Sequence, residues 1–95
     1  MMISESSIIK KSGNFLMSVI DNEAVILGIE NGTYIGLNEM GTEIWSRLEE
    51  PIRVSNLIET LVTLYDEDEA VIKVQVMEFL NDLLEKSLIA IANET

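Results

Sequence analysis

The apolar residues of this chain change their period at Asn38, and that change limits the fold more than any other feature. Before Asn38 they come as short runs rich in strand formers: Phe15 to Ile20 (FLMSVI), Ala24 to Ile29 (AVILGI) and Thr33 to Leu37 (TYIGL). After it they recur every three or four positions, the spacing of helices that bury one face. A chain ordered this way lays down strands first and packs helices on them, so the expected class is α+β.

The joints agree with that division. Asp21-Asn22 is a turn pair, and Asn31-Gly32 between two apolar runs is a strong hairpin signal, because a type I′ turn needs positive φ at both central positions. The spacing predicts Tyr34 and Gly36 on one face of the third strand, Ile35 and Leu37 on the other. Gly36 has two readings, close approach by another backbone or a slot against a bulky neighbour. Asn38 is a good N-cap for a first helix with Glu39 and Glu43 near its positive end, Met40, Ile44, Trp45 and Leu48 on one face, and Pro51 as its stop. Gly41 inside that helix costs about 1 kcal/mol against alanine, which points to tight packing there.

A second helix is expected over 54–65 and a third over about 69–86, with Leu88 to Ala92 as a short closing strand or a docked tail. The acidic quartet 66–69 fails the EF-hand pattern, since Val71 and Met77 stand where glycine and glutamate belong; it is read as capping the third helix. Residues 1–13 are polar and mixed, with Ile8-Ile9 as their strong apolar pair, and are read as a flexible N-terminal arm that can include a short strand. The domain is expected over 14–92 and a tail over 93–95.

Composition removes whole classes of function. Six Lys and Arg against seventeen Asp and Glu give a net charge of −11, the wrong sign for displacing phosphate counterions, so no nucleic acid partner is expected. There is no Cys and no His, which excludes a thiol nucleophile, a Ser-His-Asp triad and a structural zinc site. No cofactor is expected, and the chain is read as non-catalytic. No apolar run approaches a membrane span or a signal peptide, so the expectation is a cytoplasmic protein without a membrane partner.

Two features are left without an internal use. On the third helix, Ile72, Val76, Phe79, Leu80 and Leu83 form the core stripe, with Met77 and Leu84 widening it. Val71 and Val74 fall outside it, beside Gln75, Glu78 and Asp82. They are either singly exposed apolar residues or an apolar patch with an acidic rim, suited to a peptide alternating apolar and basic residues. The edge at 33–37 carries no charge, Lys or Pro to protect it, so a partner strand can pair there.

Gly32-Thr33-Tyr34-Ile35-Gly36-Leu37-Asn38-Glu39-Met40-Gly41-Thr42-Glu43-Ile44-Trp45, with its core Leu-Asn-x-x-Gly-x-x-Ile-Trp, resembles the PqqD-like family of RiPP recognition elements. Leu57-Ile58, Leu61, Tyr65-Asp66 and Val76-x-x-Phe79-Leu80-x-x-Leu83-x-x-Lys86 continue the resemblance, which covers about 14–91. Ser87 departs from the glycine usual before the leucine. The resemblance implies a winged-helix-like fold, a three-stranded antiparallel sheet followed by three helices.

It also implies a function. The leader segment of a ribosomally made precursor peptide is expected to add as a strand against Thr33, Tyr34, Ile35, Gly36 and Leu37. On the resemblance, the groove wall is expected from Val71, Val74, Gln75 and Glu78, with the Met77 edge as the alternative. The implied partners are a precursor leader peptide and a lasso-peptide leader peptidase or other modification enzyme. A PqqD-type chaperone for a radical SAM enzyme and a winged-helix protein-interaction module are the alternatives, and self-association through the sheet edge is a further expectation.

Overall fold

The structure, a computed structural model, describes residues 3–21, 23–30 and 32–92. Its strands are β1 (Ile8–Lys11), β2 (Phe15–Ile20), β3 (Glu23–Gly28), β4 (Tyr34–Leu37), β5 (Ile52–Arg53) and β6 (Ile89–Ile91). Its helices are α1 (Glu39–Ser46), α2 (Val54–Tyr65) and α3 (Glu69–Glu85). The expected three-stranded antiparallel sheet, β2-β3-β4, is present and three helices follow it. A second three-stranded sheet, β5-β1-β6, joins the two ends of the chain.

The second sheet corrects the reading of 1–13 as an arm. β1 is its central strand, with Ile9 opposite both Ile52 and Ile91. Ile9 is fully buried and Ile3 nearly so. The Val54 and Ser55 amides donate to the carbonyls of Ser7 and Glu5 at 2.9 Å, so the segment also closes the amino end of α2. Four residues show too little alternation to identify a strand, and the partners lie far along the chain. The closing segment at 88–92 is a strand, β6, because β1 supplies its partner.

The hairpins are also redistributed. Ile20 stands opposite Glu23, so two positions, 21 and 22, connect the strands, with Asp21 at φ +50°; Asn22 lies outside the described residues. Between β3 and β4, Leu27 faces Tyr34, and the Gly28 amide donates to the Thr33 carbonyl at 2.8 Å. The loop therefore spans 29–32 rather than a two-residue turn at Asn31-Gly32; Asn31 lies outside the described residues. The two registers differ by two residues and keep every side chain on its face, so alternation cannot choose between them. The loop is anchored instead on the start of β2: the Ile29 amide donates to the Asn14 carbonyl at 3.0 Å, and Asn14 Nδ2 to Glu30 Oε1 at 2.8 Å.

Asn38 caps α1 as expected, its Oδ1 accepting from the Gly41 amide at 2.7 Å. α1 stops at Ser46, ahead of Pro51, and Leu48 lies just past its end while remaining buried. Asp68 caps α3 by accepting from the Ala70 amide at 2.9 Å. The core fills the space between the inner face of β2-β3-β4 and the helices, around Ile26, Ile44, Trp45, Leu57, Leu61 and Leu80.

Candidate functional site

β4 is an edge strand. It pairs with β3 on one side, and its other side faces no strand among the described residues. Ile35 and Leu37 point into the core, while Tyr34 (68% exposed) and Gly36 face outward. A Cβ on Gly36 would meet nothing within 4 Å, so the slot for a bulky internal neighbour is absent. Thr33 precedes the strand, and its carbonyl is used by Gly28. Of the five edge residues expected from sequence, four form the edge and Thr33 closes the hairpin.

At the carboxyl end of β4 the chain turns through Asn38 into α1, and a cleft of about 390 Å³ opens between α1 and α3. Met40, Gly41 and Ile44 form one wall; Gln75, Glu78, Phe79 and Asp82 form the other. Gly41 gives the cleft its depth, since a Cβ there would stand 3.4 Å from the Phe79 ring and 3.2 Å from Asn38 Oδ1. The tight packing expected at Gly41 is thus against Phe79.

The structure brings Gln75 and Glu78 together in this cleft and leaves Val71 and Val74 outside its lining. Val71 (42% exposed) continues the stripe of Gln75, Glu78 and Asp82 one turn toward the start of α3. Val74 (57% exposed) is turned further round the helix. Met77 is packed against the core, so its edge of α3 does not face the cleft. Asp82 was expected only in the acidic rim of the third helix, and Phe79, Met40 and Ile44 were not expected at a site. Their heptad-like spacing marks them as core or surface, and only the meeting of Gly41 with Phe79 shows that a cleft separates the helices.

The cleft is acidic. Asp82 is paired with Lys86 at 2.5 Å, and Glu78 has no ion-pair partner among the described residues. Among the described residues, no Lys or Arg lines the cleft. On the opposite side of α1, Glu43 pairs with Arg47 at 2.7 Å. The Tyr65 hydroxyl titrates above its ordinary range, first because of burial and then because of the fields of Glu39 and Glu43, with Arg47 opposing them. Among the described residues, no group of three or more acidic side chains is placed to hold a metal. No described helix is long and apolar enough to cross a membrane. The arrangement can offer backbone hydrogen bonds along β4, a recess with Met40, Ile44 and Phe79 in its walls, and negative charge.

The family model of coenzyme PQQ synthesis protein D (PqqD) matches residues 23–89. The solved structure of TbiB1 in complex with the TbiA(beta) leader peptide is 29% identical, with both chains covered over 100% of their length and a TM-score of 0.69. The solution NMR structure of the PqqD truncation of Methylobacterium extorquens PqqCD, described as a functional and stand-alone RiPP recognition element, is 20% identical. It covers 93% of this chain and 94% of its own, with a TM-score of 0.75, and shows the likeness of fold. No curated protein matches the sequence.

Proposed function

This chain belongs to the PqqD family, and from that premise we propose that it is a non-catalytic adaptor. It binds the leader segment of a ribosomally made precursor peptide as an extra strand on β4 and presents it to a separate processing enzyme. The observation that carries this reading is the juxtaposition of the free β4 edge with the acidic cleft between α1 and α3. An added strand satisfies its backbone on β4, while alternate side chains enter the recess and basic residues approach Glu78. The likeness to TbiB1, solved with a leader peptide, supports it.

The processing enzyme on this reading is a lasso-peptide leader peptidase. The net charge of −11 suits a basic leader. The second reading, a PqqD-type chaperone serving a radical SAM enzyme, is favoured by the family match itself. Both place the protein in the cytoplasm. Val71 extends the groove wall for a leader longer than the cleft; Val74 and Thr33 stand at its margins.

The test is an amide titration of the labelled chain with the leader of the precursor encoded beside its gene. Residues 34–37, Gln75 and Glu78 are expected to shift in a saturable manner, and affinity to fall as salt rises. Shifts confined to other surfaces, or pairing of β4 with a second copy that the peptide does not displace, would overturn the reading.

A further inference from the structure

The β2-β3-β4 sheet has a second free border. Among the described residues β2 pairs with β3 alone, so Phe15–Ile20 presents an edge six residues long, against four for β4. None of these residues is charged and none is proline, so the usual protections of an edge are missing. Leu16, Met17 and Val19 are 58%, 46% and 68% exposed. Val19, Ala24 and Leu37 stand opposite one another across the three strands. Here α1 overhangs the sheet and encloses a cleft of about 520 Å³. Its floor is apolar, with Met17 and Val19 at the border, and its far wall carries Glu39 and Glu43. Glu43 is held by Arg47, whereas Glu39 has no ion-pair partner among the described residues.

The stretch of chain that builds this cleft is acidic apart from Arg47, which Glu43 holds. Between Lys11 and Arg47 the chain has no Lys or Arg, yet it has Asp21, Glu23, Glu30, Glu39 and Glu43. We infer that the β2 border is a second docking site, and that its occupant is an extended segment of a partner protein in which apolar residues alternate with arginine or lysine. The segment pairs with β2. Its side chains on the α1 side lay their aliphatic stems over Met17 and Val19 and bring their cations to Glu39. A second copy of this chain does not fit that description, since its own β2 brings no cation and its net charge of −11 repels.

This site uses β2 and the Glu39–Glu43 side of α1 and goes beyond the leader reading, which uses β4 and the cleft between α1 and α3. On the adaptor reading the partner is the enzyme that receives the peptide, because opposite borders of one sheet can be occupied together.

The experiment titrates the labelled full chain with an acetylated heptapeptide alternating valine and arginine, and with the same peptide carrying citrulline for arginine. Saturable shifts are expected at residues 15–20, Glu39 and Thr42, weaker with citrulline. Glu39→Gln should weaken binding about threefold, the worth of one exposed ion pair. Val19→Lys should abolish the β2 shifts while leaving leader binding at β4 unchanged. Shifts confined to β4 and α3 would overturn the second site and leave the leader groove standing. Unsaturable shifts over the whole acidic surface would overturn it as well. So would concentration-dependent broadening of residues 15–20 without peptide, removed by Val19→Lys, which would make the occupant a second copy.

Discussion

The ammonium of Lys11, at the end of β1, lies 4.5 Å from the centroid of the Trp45 ring in α1. Trp45 is buried and also meets the Phe15 ring edge-on, with centroids 5.1 Å apart and planes at 81°. Lys11 therefore joins the amino-terminal strand to the helix that walls the cleft. Lys11→Met keeps most of the stem and removes the cation, so it is expected to cost about 0.5–1 kcal/mol in urea unfolding. Lys11 also pairs with Glu49, whose side chain is mostly exposed. Glu49→Gln should therefore change stability by less than Lys11→Met does. Equal losses for the two would assign the effect to the ion pair instead of the ring.

Ile9 provides a harder test of the amino-terminal segment. It is fully buried in the central strand of the second sheet. Ile9→Ala is expected to destabilise by about 2–5 kcal/mol, the range for truncating a core side chain. A mobile arm would show almost no change. Deleting 1–11 should do more than Ile9→Ala, because β5 and β6 would lose the strand that lies between them.

What was legible in the sequence follows from the range of the forces that specify it. Asn38, the span of α2 and the cap at Asp68 are local, and each is found where its residues indicate. The alternation of Tyr34, Ile35, Gly36 and Leu37 is local too, and their burial follows it. β1 is non-local: Ile9 gains its burial from Ile52 and Ile91, which no neighbouring residue announces. The loop at 29–32 is non-local for the same reason, since Asn14 fixes it. Gln75 and Glu78 are visible at the candidate site because they sit on the polar face of an amphipathic helix. Phe79 and Gly41 are hidden because their role depends on the distance between two helices.

Ser87 sits at φ +61°, a left-handed position that side chains adopt at a cost. It ends α3 in a Schellman arrangement: its amide donates to the Leu84 carbonyl at 3.0 Å, and the Leu88 amide donates to the Leu83 carbonyl at 2.9 Å. Glycine satisfies the same bonds without a Cβ. Ser87→Gly should therefore raise stability by about 0.5–1 kcal/mol, after the greater freedom of glycine in the unfolded chain offsets part of the relief. The midpoint of thermal unfolding measures it, and an unchanged or lower midpoint would mean that the serine conformation carries no strain.

Tyr65 gives a pH dependence with a definite sign. Its folded hydroxyl titrates above the ordinary value of 10.0. As pH rises past that value the unfolded chain loses the proton first, so ionisation favours unfolding and stability falls. Lys73, raised chiefly by its hydrogen bond to Glu5, loses its stabilising charge in the same direction above 10.5. The two are separated by substitution: Tyr65→Phe should shrink the drop in urea midpoint between pH 8 and pH 10.5, while Lys73→Met should leave most of it. An identical drop in Tyr65→Phe would place the alkaline sensitivity elsewhere.

Glu78 tests the charge of the groove apart from its shape. It lines the cleft and has no ion-pair partner among the described residues, so its field reaches whatever lies along β4. Glu78→Gln removes that field with little change of volume and is expected to weaken a basic leader by about 2–5-fold at low salt, the range of a partly exposed ion pair. Glu78→Lys should weaken it further and flatten the dependence of affinity on salt, because repulsion is screened along with attraction. Asp82 is already paired with Lys86, so Asp82→Asn should matter less than Glu78→Gln. Titration calorimetry of the three variants at two salt concentrations gives the order. If Asp82 proves the more sensitive position, the peptide approaches the carboxyl end of α3, and the acidic attraction is set there instead of beside Gln75.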